Sequence, residues 1–147
     1  MAQSLRKIDY FYVQTPQAVG EAARILAALR DAGVSLLAYS GFPSGRRAQQ
    51  DFAPTDSAQF TAAMKKLKLK LSRRKTGFLL EGDDKVGALT DVLSRLAAAK
   101  INVTALDAVA AGEGRFGCIF WVKPRDVTKT AKVLGISDSA AVPMTHG

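Results

Sequence analysis

The residues with the clearest capacity for chemistry lie in one short loop. Asp83 and Asp84 are adjacent carboxylates, Lys85 follows them, and Gly87 ends the run. A glycine allows a ligand to approach the backbone closely, and a helix that begins here would present unpaired N–H groups to a carboxylate. Because acidic side chains attract an ammonium group, the same loop could hold both ends of a zwitterion. The structural alternative is that Asp84 only caps a helix and that Gly87 only permits close packing.

Catalytic chemistry has little support in the sequence. His146 is the only histidine and lies next to the last residue, which argues against His-dependent triads and most His-ligated metal sites. No second acidic cluster accompanies the two adjacent aspartates at metal-ligand spacing. The single cysteine, Cys118, lies in an apolar run and is expected to be a small buried hydrophobic residue. We therefore expect no enzymatic activity, no metal and no cofactor.

A basic stretch offers a different kind of chemistry. Seven of the eleven residues from Lys65 to Lys75 are lysine or arginine, and the net charge of the chain is +8. Such patches can bind nucleic acid or other polyanions. The structural alternative is that the lysines alternating along Leu67 to Ser72 protect an edge strand from aggregation. Nucleic-acid binding by an RRM-like fold, with Phe116 as a base-stacking residue, is the alternative function.

An internal repeat must position these residues. Its two copies place apolar residues at offsets of three, seven and ten, which lie on one face of a helix, and each copy opens with a Val-Gly pair. The matched residues are Val19, Ala22, Leu26 and Leu29 in the first copy and Val86, Leu89, Leu93 and Leu96 in the second. We expect Val19, Leu26, Val86 and Leu93 to be buried under the sheet.

Strand-like runs and a second helix surround each repeated helix, giving the order β-α-β-β-α. The first copy adds an alternating run at Leu67 to Ser72, which predicts a fourth strand, whereas that strand should be short or absent in the second copy. The fold class is therefore α+β, with two ferredoxin-like βαββαβ units side by side in one antiparallel sheet of about eight strands and the helices on one face. The predicted division is repeat 1 over 1–72, repeat 2 over 73–135 and a tail over 136–147.

The second copy resembles the ACT domain family. Its Asp84-x-x-Gly87 loop and its Ile101-Asn102-Val103 strand entry match the family pattern, and the first copy resembles it more weakly at Gln17 to Gly20 and at Ala32 to Ser35. Val86 and Gln17 depart from the pattern, because the family often has proline and aspartate at these positions. The resemblance implies a stand-alone tandem ACT-domain protein, a regulatory module that binds a small molecule, often an amino acid, at the interface between units.

The resemblance also implies which residues contact the ligand. In this family, the loop after the first strand and the second strand of the neighbouring unit form the site. The implied ligand-binding residues are Asp83, Asp84, Lys85, Val86 and Gly87 in the second loop, Gln17, Ala18, Val19 and Gly20 in the first loop, and Ser35, Leu36, Asn102 and Val103 at the strand entries. A regulated enzyme or transcription regulator of unknown identity would receive the signal.

The partner and compartment are also predicted. The run Arg115 to Lys123 is apolar on both faces, which suggests that a second chain covers Trp121 in a homodimer. No apolar run is long enough to span a membrane, and the first residues do not form a signal peptide. We therefore expect a cytoplasmic protein without a membrane partner.

Overall fold

The structure is a computed structural model that describes residues 3–136. Its contacts divide the chain into two compact units. Of the described residues, the first unit contains Asp9–Lys75, and the second unit combines residues 3–8 with residues 76–136. Strand β1 (Ser4–Pro16) therefore contributes its beginning to the second unit and the remainder to the first.

The first unit has its strands in the order β2-β3-β1, all antiparallel. Its elements after β1 are α1 (Glu21–Asp31), β2 (Leu36–Ser44), β3 (Arg47–Pro54) and α2 (Ser57–Lys66). Helix α2 begins where predicted, because the Asp56 side chain accepts a hydrogen bond from the Gln59 backbone N–H at 3.1 Å. Both helices pack on one face of the sheet, where the core consists of Phe11, Val13, Ile25, Leu29, Val34, Phe52, Phe60 and Met64.

The second unit has the strand order β1-β4-β6-β5. Its elements after β1 are β4 (Lys75–Asp83), α3 (Thr90–Ala98), β5 (Val103–Gly112), β6 (Arg115–Val122) and α4 (Val127–Leu134). Helix α4 ends at Gly135, whose φ of 73° is the left-handed conformation that glycine adopts readily at a helix C-terminus. The helix-side core is built from Leu5, Phe78, Leu80, Val92, Leu96, Ile101, Phe116, Cys118, Phe120, Val122, Ala131 and Leu134.

The α+β class, the antiparallel pairing and the β-α-β-β-α order of both copies are confirmed. The predicted strand at Leu67 to Ser72 is wrong. Lys68 has a φ of 57°, which interrupts an extended backbone, and Ser72 bonds to Tyr12 through its backbone N–H and through its side chain, both at 2.9 Å. The alternating leucines pack against the core of the first unit without forming a strand. The described residues consequently form six strands and not about eight.

The fourth strand of the second copy comes from the beginning of the chain. We predicted that this strand would be short or absent because little sequence follows the last helix. Instead, the part of β1 that belongs to the second unit lies beside β4, and Leu5 joins the helix-side core. Apart from Ile136, the predicted tail over 136–147 lies outside the described residues.

The predicted buried helix faces are partly wrong. Val19 and Val86 are fully exposed, and Leu26 and Leu93 are only half-buried. The helices begin later than the Val-Gly pairs suggested, at Glu21 and Thr90, so the two valines belong to the turns that precede them. The buried helical residues are Ile25 and Leu29 in α1 and Val92 and Leu96 in α3.

The apolar character of β6 has an explanation within one chain. Trp121 is only 6% exposed in the single chain, so a second chain is not needed to bury this residue, and the homodimer stays a prediction. Cys118 is buried as predicted, and burial, followed by the charge of Asp107, raises the pKa of its thiol to about 11. The thiol therefore stays protonated at neutral pH. No helix in the described part of the chain is long and apolar enough to cross a membrane.

Candidate functional site

The second loop is held in place at the end of β4. Asp83 is paired with Arg115 in the sheet, and the Arg115 guanidinium donates a hydrogen bond to the Asp83 carboxylate at 3.0 Å. The next backbone N–H, that of Asp84, donates to the Gly114 carbonyl at 2.8 Å, which ties the loop to the turn between β5 and β6. The carbonyl of Gly87 accepts from the N–H of Thr90 at 3.0 Å. The loop is therefore an ordered turn that leads into α3.

A cavity of about 240 Å³ opens beside this loop, and we call it the Gly87 cavity. It is lined by Gln3, Asp83, Lys85, Gly87, Ala88 and Asp91. Three of the predicted loop residues line it, namely Asp83, Lys85 and Gly87. Asp84 and Val86 are exposed next to the cavity and do not line it.

The acidic residues of the cavity differ from those that the sequence suggested. The pair is Asp83 and Asp91, whereas we had expected Asp83 and Asp84. Asp84 does not cap a helix either, because α3 begins only at Thr90. Asp91 lies in the first turn of α3 as observed, whereas the predicted helix opened at Val86 and gave this residue no special place. No local signal connects Gln3 with this loop.

The Gly87 cavity presents charges of both signs. Its two carboxylates have arginine neighbours, since Asp91 lies 3.8 Å from the Arg95 guanidinium and Asp83 bonds to Arg115. Lys85 contributes a positively charged ammonium group. Among residues 3–136, no group of three or more histidine, cysteine or acidic side chains could hold a metal ion. The cavity therefore suits a ligand that carries both a positive and a negative group.

The backbone conformation at position 87 favours glycine, whereas the space around it would admit a Cβ atom. Its φ is 75°, a value that residues with a side chain adopt at a cost, while an added Cβ would meet only the Thr90 hydroxyl at an ordinary 3.5 Å. A bulky substitution at this position would strain the turn as well as block a ligand. Substitutions at the acidic residues are consequently better tests of the cavity.

The first loop has a parallel arrangement with different chemistry. The Gln17 amide donates to the carbonyls of Gly45 at 3.2 Å and Arg47 at 2.8 Å, tying the loop to the turn between β2 and β3. An aspartate here could not donate these bonds, so Gln17 has a structural role of its own. Gly20 precedes α1 with a φ of 89°. Gln17, Ala18 and Val19 line a larger groove in the first unit.

The strand-entry residues do not join the loops within either unit. In the first unit, Leu36 at the start of β2 pairs with Pro54 at the end of β3. The last residues of β1 and β2 both pair with Arg47, at the opposite end of β3. A strand rises about 3.3 Å per residue, so the eight steps from Leu36 to Ser44 separate Ser35 and Leu36 from the first loop by roughly 26 Å.

The second unit repeats this separation. Val103 pairs with Val122 at one end of β6, and Asp83 pairs with Arg115 at the other end. Asn102 is exposed and Val103 half-buried. A site within one unit therefore contains a loop without a strand entry.

The basic stretch from Lys65 to Lys75 is not an edge strand, so protection from aggregation does not explain it. Lys68, Lys70, Arg73 and Arg74 are exposed, and none of the basic residues in the stretch forms an ion pair with an acidic residue among residues 3–136. The RRM-like comparison fails at Phe116, which is 6% exposed in the helix-side core, where no base can stack on it.

Comparison with known proteins concerns the fold. No protein-family model matches the sequence, and no curated protein matches it significantly. Among solved structures, protein BT0572 from Bacteroides thetaiotaomicron is similar with a TM-score of 0.76 and 14% identity, over 89% of this chain and 88% of that one. The ligand-free regulatory subunit of aspartate kinase from Thermus thermophilus has a TM-score of 0.63 and 13% identity, over 92% and 96%.

A further similar structure is E. coli aspartokinase III in complex with lysine and aspartate, with a TM-score of 0.53 and 14% identity. The match covers 92% of this chain and 32% of the aspartokinase. At such identities the likeness concerns the fold alone. These structures support the ACT-like fold inferred from the sequence.

Proposed function

We propose that this chain is a non-catalytic regulatory module that binds an amino acid in the Gly87 cavity. The observation that carries the proposal is the lining of the cavity, which combines two carboxylates and one ammonium group in a small volume. Small-molecule sites usually have volumes of about 300–1,000 Å³, so about 240 Å³ suits a small ligand. The fold shared with regulatory subunits of aspartate kinase supports a regulatory role.

The chemistry of the site assigns one role to each charged residue. The carboxylates of Asp83 and Asp91 would receive the ammonium group of the ligand, and Lys85 would pair with its carboxylate. The other loop and strand-entry residues inferred from the ACT resemblance remain candidates for contacts that a neighbouring ACT-like unit completes. An enzyme or another regulator would be the downstream partner.

Asp91→Asn is expected to weaken amino-acid binding by about ten- to a hundredfold. A hydrogen bond to a charged group contributes about 1.5–3 kcal/mol, and asparagine removes the charge while preserving the shape. The measurement is calorimetric titration of each amino acid that raises the melting temperature of the wild-type protein in a screen of all common amino acids. Asp31→Asn is the matched control, since Asp31 is an exposed helical aspartate with an arginine neighbour, as Asp91 is, but does not line the cavity, and this variant should bind like the wild type.

Equal affinity of the wild type and Asp91→Asn would place the site elsewhere. If no amino acid bound, while a single-stranded oligonucleotide bound with a steep dependence on salt, the nucleic-acid function of the Lys65 to Lys75 stretch would replace the present proposal. Nucleic-acid binding is the competing function because the basic residues of that stretch form no ion pairs among residues 3–136.

We also propose that two copies of the chain associate through β5. This strand lies at the edge of the second unit's sheet, and among the described residues it pairs only with β6. It has ten residues, of which Asp107 is the only charged one, and Val109 is 66% exposed. Because a long apolar edge strand presents unpaired backbone groups, it is a template for pairing with another chain.

Val109→Lys is expected to convert a wild-type dimer into a monomer, because each copy would bring a lysine to the shared edge. Light scattering over a range of concentrations measures the mass. Val86→Lys is the control, since Val86 is also an exposed valine but lies outside the edge strand. A monomeric wild type at high concentration, or a dimer that survives Val109→Lys, would exclude this interface.

A further inference from the structure

The first unit contains a cavity of about 400 Å³ that is separate from the Gly87 cavity, and we call it the Lys70 cavity. Its volume falls within the range of about 300–1,000 Å³ that is usual for small-molecule sites. None of its lining residues belongs to the loops or strand entries that the ACT resemblance implies, and all of them lie in one unit: Tyr12, Gln14, Arg47, Lys70, Leu71 and Ser72.

One wall of the Lys70 cavity lies on the face of the first unit's sheet that is opposite to its two helices. Val13 belongs to the core beneath those helices, so its neighbours in β1, Tyr12 and Gln14, point to the opposite face. Arg47 in β3 pairs with Pro16, which lies two residues beyond Gln14. Because paired residues share a face, the Arg47 side chain lies on the same face as Tyr12 and Gln14.

The other wall is the segment from Lys70 to Ser72, which hydrogen bonds hold beside β1. The Ser72 backbone N–H donates to the Tyr12 carbonyl, and the Tyr12 N–H donates to Ser72 Oγ, both at 2.9 Å. The Ser72 hydroxyl in turn donates to the Arg73 carbonyl at 2.9 Å. These bonds fix the position of the segment although it does not form a strand, so the cavity has two ordered walls.

The cavity carries two positive charges that no carboxylate neutralises. Arg47 and Lys70 line it, no acidic residue of the described chain does, and neither cation forms an ion pair among residues 3–136. The Arg47 guanidinium donates to the Gln14 carbonyl at 3.1 Å, which holds it at the cavity. Asp51 lies on the same face of the sheet, opposite Tyr12, but does not line the cavity. The charge of the cavity therefore favours an anion.

The other polar groups of the cavity also suit an anion that has several acceptor atoms. The side-chain amide of Gln14 and the hydroxyl of Tyr12 can both donate hydrogen bonds. Lys75 adds a third positive charge nearby, since its Nζ lies 5.9 Å from the centroid of the Tyr12 ring. A phosphate monoester carries a charge of about −1.5 to −2 at neutral pH and three acceptor oxygens, and an arginine guanidinium matches its geometry.

We propose that the Lys70 cavity binds the phosphate monoester group of a small molecule. Arg47 and Lys70 pair with the phosphate oxygens, and Gln14 and Tyr12 donate hydrogen bonds to the remaining acceptors of the ligand. The site differs from the Gly87 cavity in ligand chemistry, because it has no carboxylate to receive an ammonium group. It differs from a nucleic-acid surface because it holds one doubly charged group and not a row of singly charged phosphate diesters.

The test uses glycerol phosphate as the monoester and dimethyl phosphate as the matched diester. Calorimetric titration of the full chain at low salt and about pH 8 should show the monoester binding at least about tenfold more tightly than the diester. Lys70→Gln and Arg47→Gln should each weaken monoester binding by about tenfold. Lys66→Gln and Arg46→Gln are the matched controls, because they remove the same charges from exposed residues outside the cavity, and their effects should stay within about twofold.

The outcomes separate this proposal from the proposed function. Monoester binding that persists in Asp91→Asn and falls in Lys70→Gln and Arg47→Gln supports a separate site in the Lys70 cavity. Equal affinity for the monoester and the diester, equal losses in the cavity variants and their controls, or failure of the monoester to bind would each overturn it. None of these results depends on whether the Gly87 cavity takes an amino acid.

Discussion

Phe52→Ala is expected to lower the free energy of unfolding by about 3–5 kcal/mol, a large part of the about 5–15 kcal/mol that stabilises a typical domain. Phe52 has no exposed surface, and its ring centroid lies 5.3 Å from that of Tyr39 and 5.4 Å from that of Phe60. Truncation removes this burial and leaves a cavity between β3 and α2 that a close-packed core fills only in part. Urea denaturation followed by far-UV circular dichroism measures the loss.

Phe42→Ala is the matched control, because it removes the same side chain from the neighbouring strand at a position that is 43% exposed. We expect it to cost about 1 kcal/mol or less. A loss of similar size in both variants would mean that burial does not distinguish the two positions. A Phe52→Ala protein as stable as the wild type would contradict the assignment of Phe52 to the core.

Thr130→Val is expected to raise the free energy of unfolding by about 1–3 kcal/mol. Thr130 has no exposed surface on α4, and its hydroxyl has no hydrogen-bond partner among residues 3–136. An unsatisfied buried hydroxyl costs about 1–3 kcal/mol, and valine has nearly the same shape without that group. Both residues are β-branched and have similar helix propensities, so the backbone should be unaffected. Thermal and urea denaturation of the variant measure the gain.

Thr128→Val makes the same chemical change on the exposed side of the same helix. Its effect should stay within about 0.5 kcal/mol. If Thr130→Val instead lowered the stability, the Thr130 hydroxyl would have to be hydrogen-bonded in solution. If both variants gained equally, the gain would come from helix propensity and not from the buried hydroxyl.

Local chemistry in the sequence determined the elements and their order. The alternation of Phe11 and Val13 indicates a strand that is buried on one face. Asp56 indicates the start of α2, and Gly135 indicates the end of α4. Each of these signals depends on residues within a few positions of each other, which is why the sequence displays them directly. The repeat added the information that the same unit occurs twice. The loop containing Gly87 was recognisable for the same reason.

Only the tertiary structure decided which distant segments meet. It places the beginning of β1 beside β4, Gln3 and Asp91 in the Gly87 cavity, and Gln50 between Tyr39 and Thr15. The leucines of Leu67 to Ser72 show how a local pattern can mislead, since their alternation reflects burial and not strand pairing. Hydrophobic periodicity records which side of a segment is buried. It does not record the partner that buries it, because apolar contacts are non-directional and many partners would satisfy them equally.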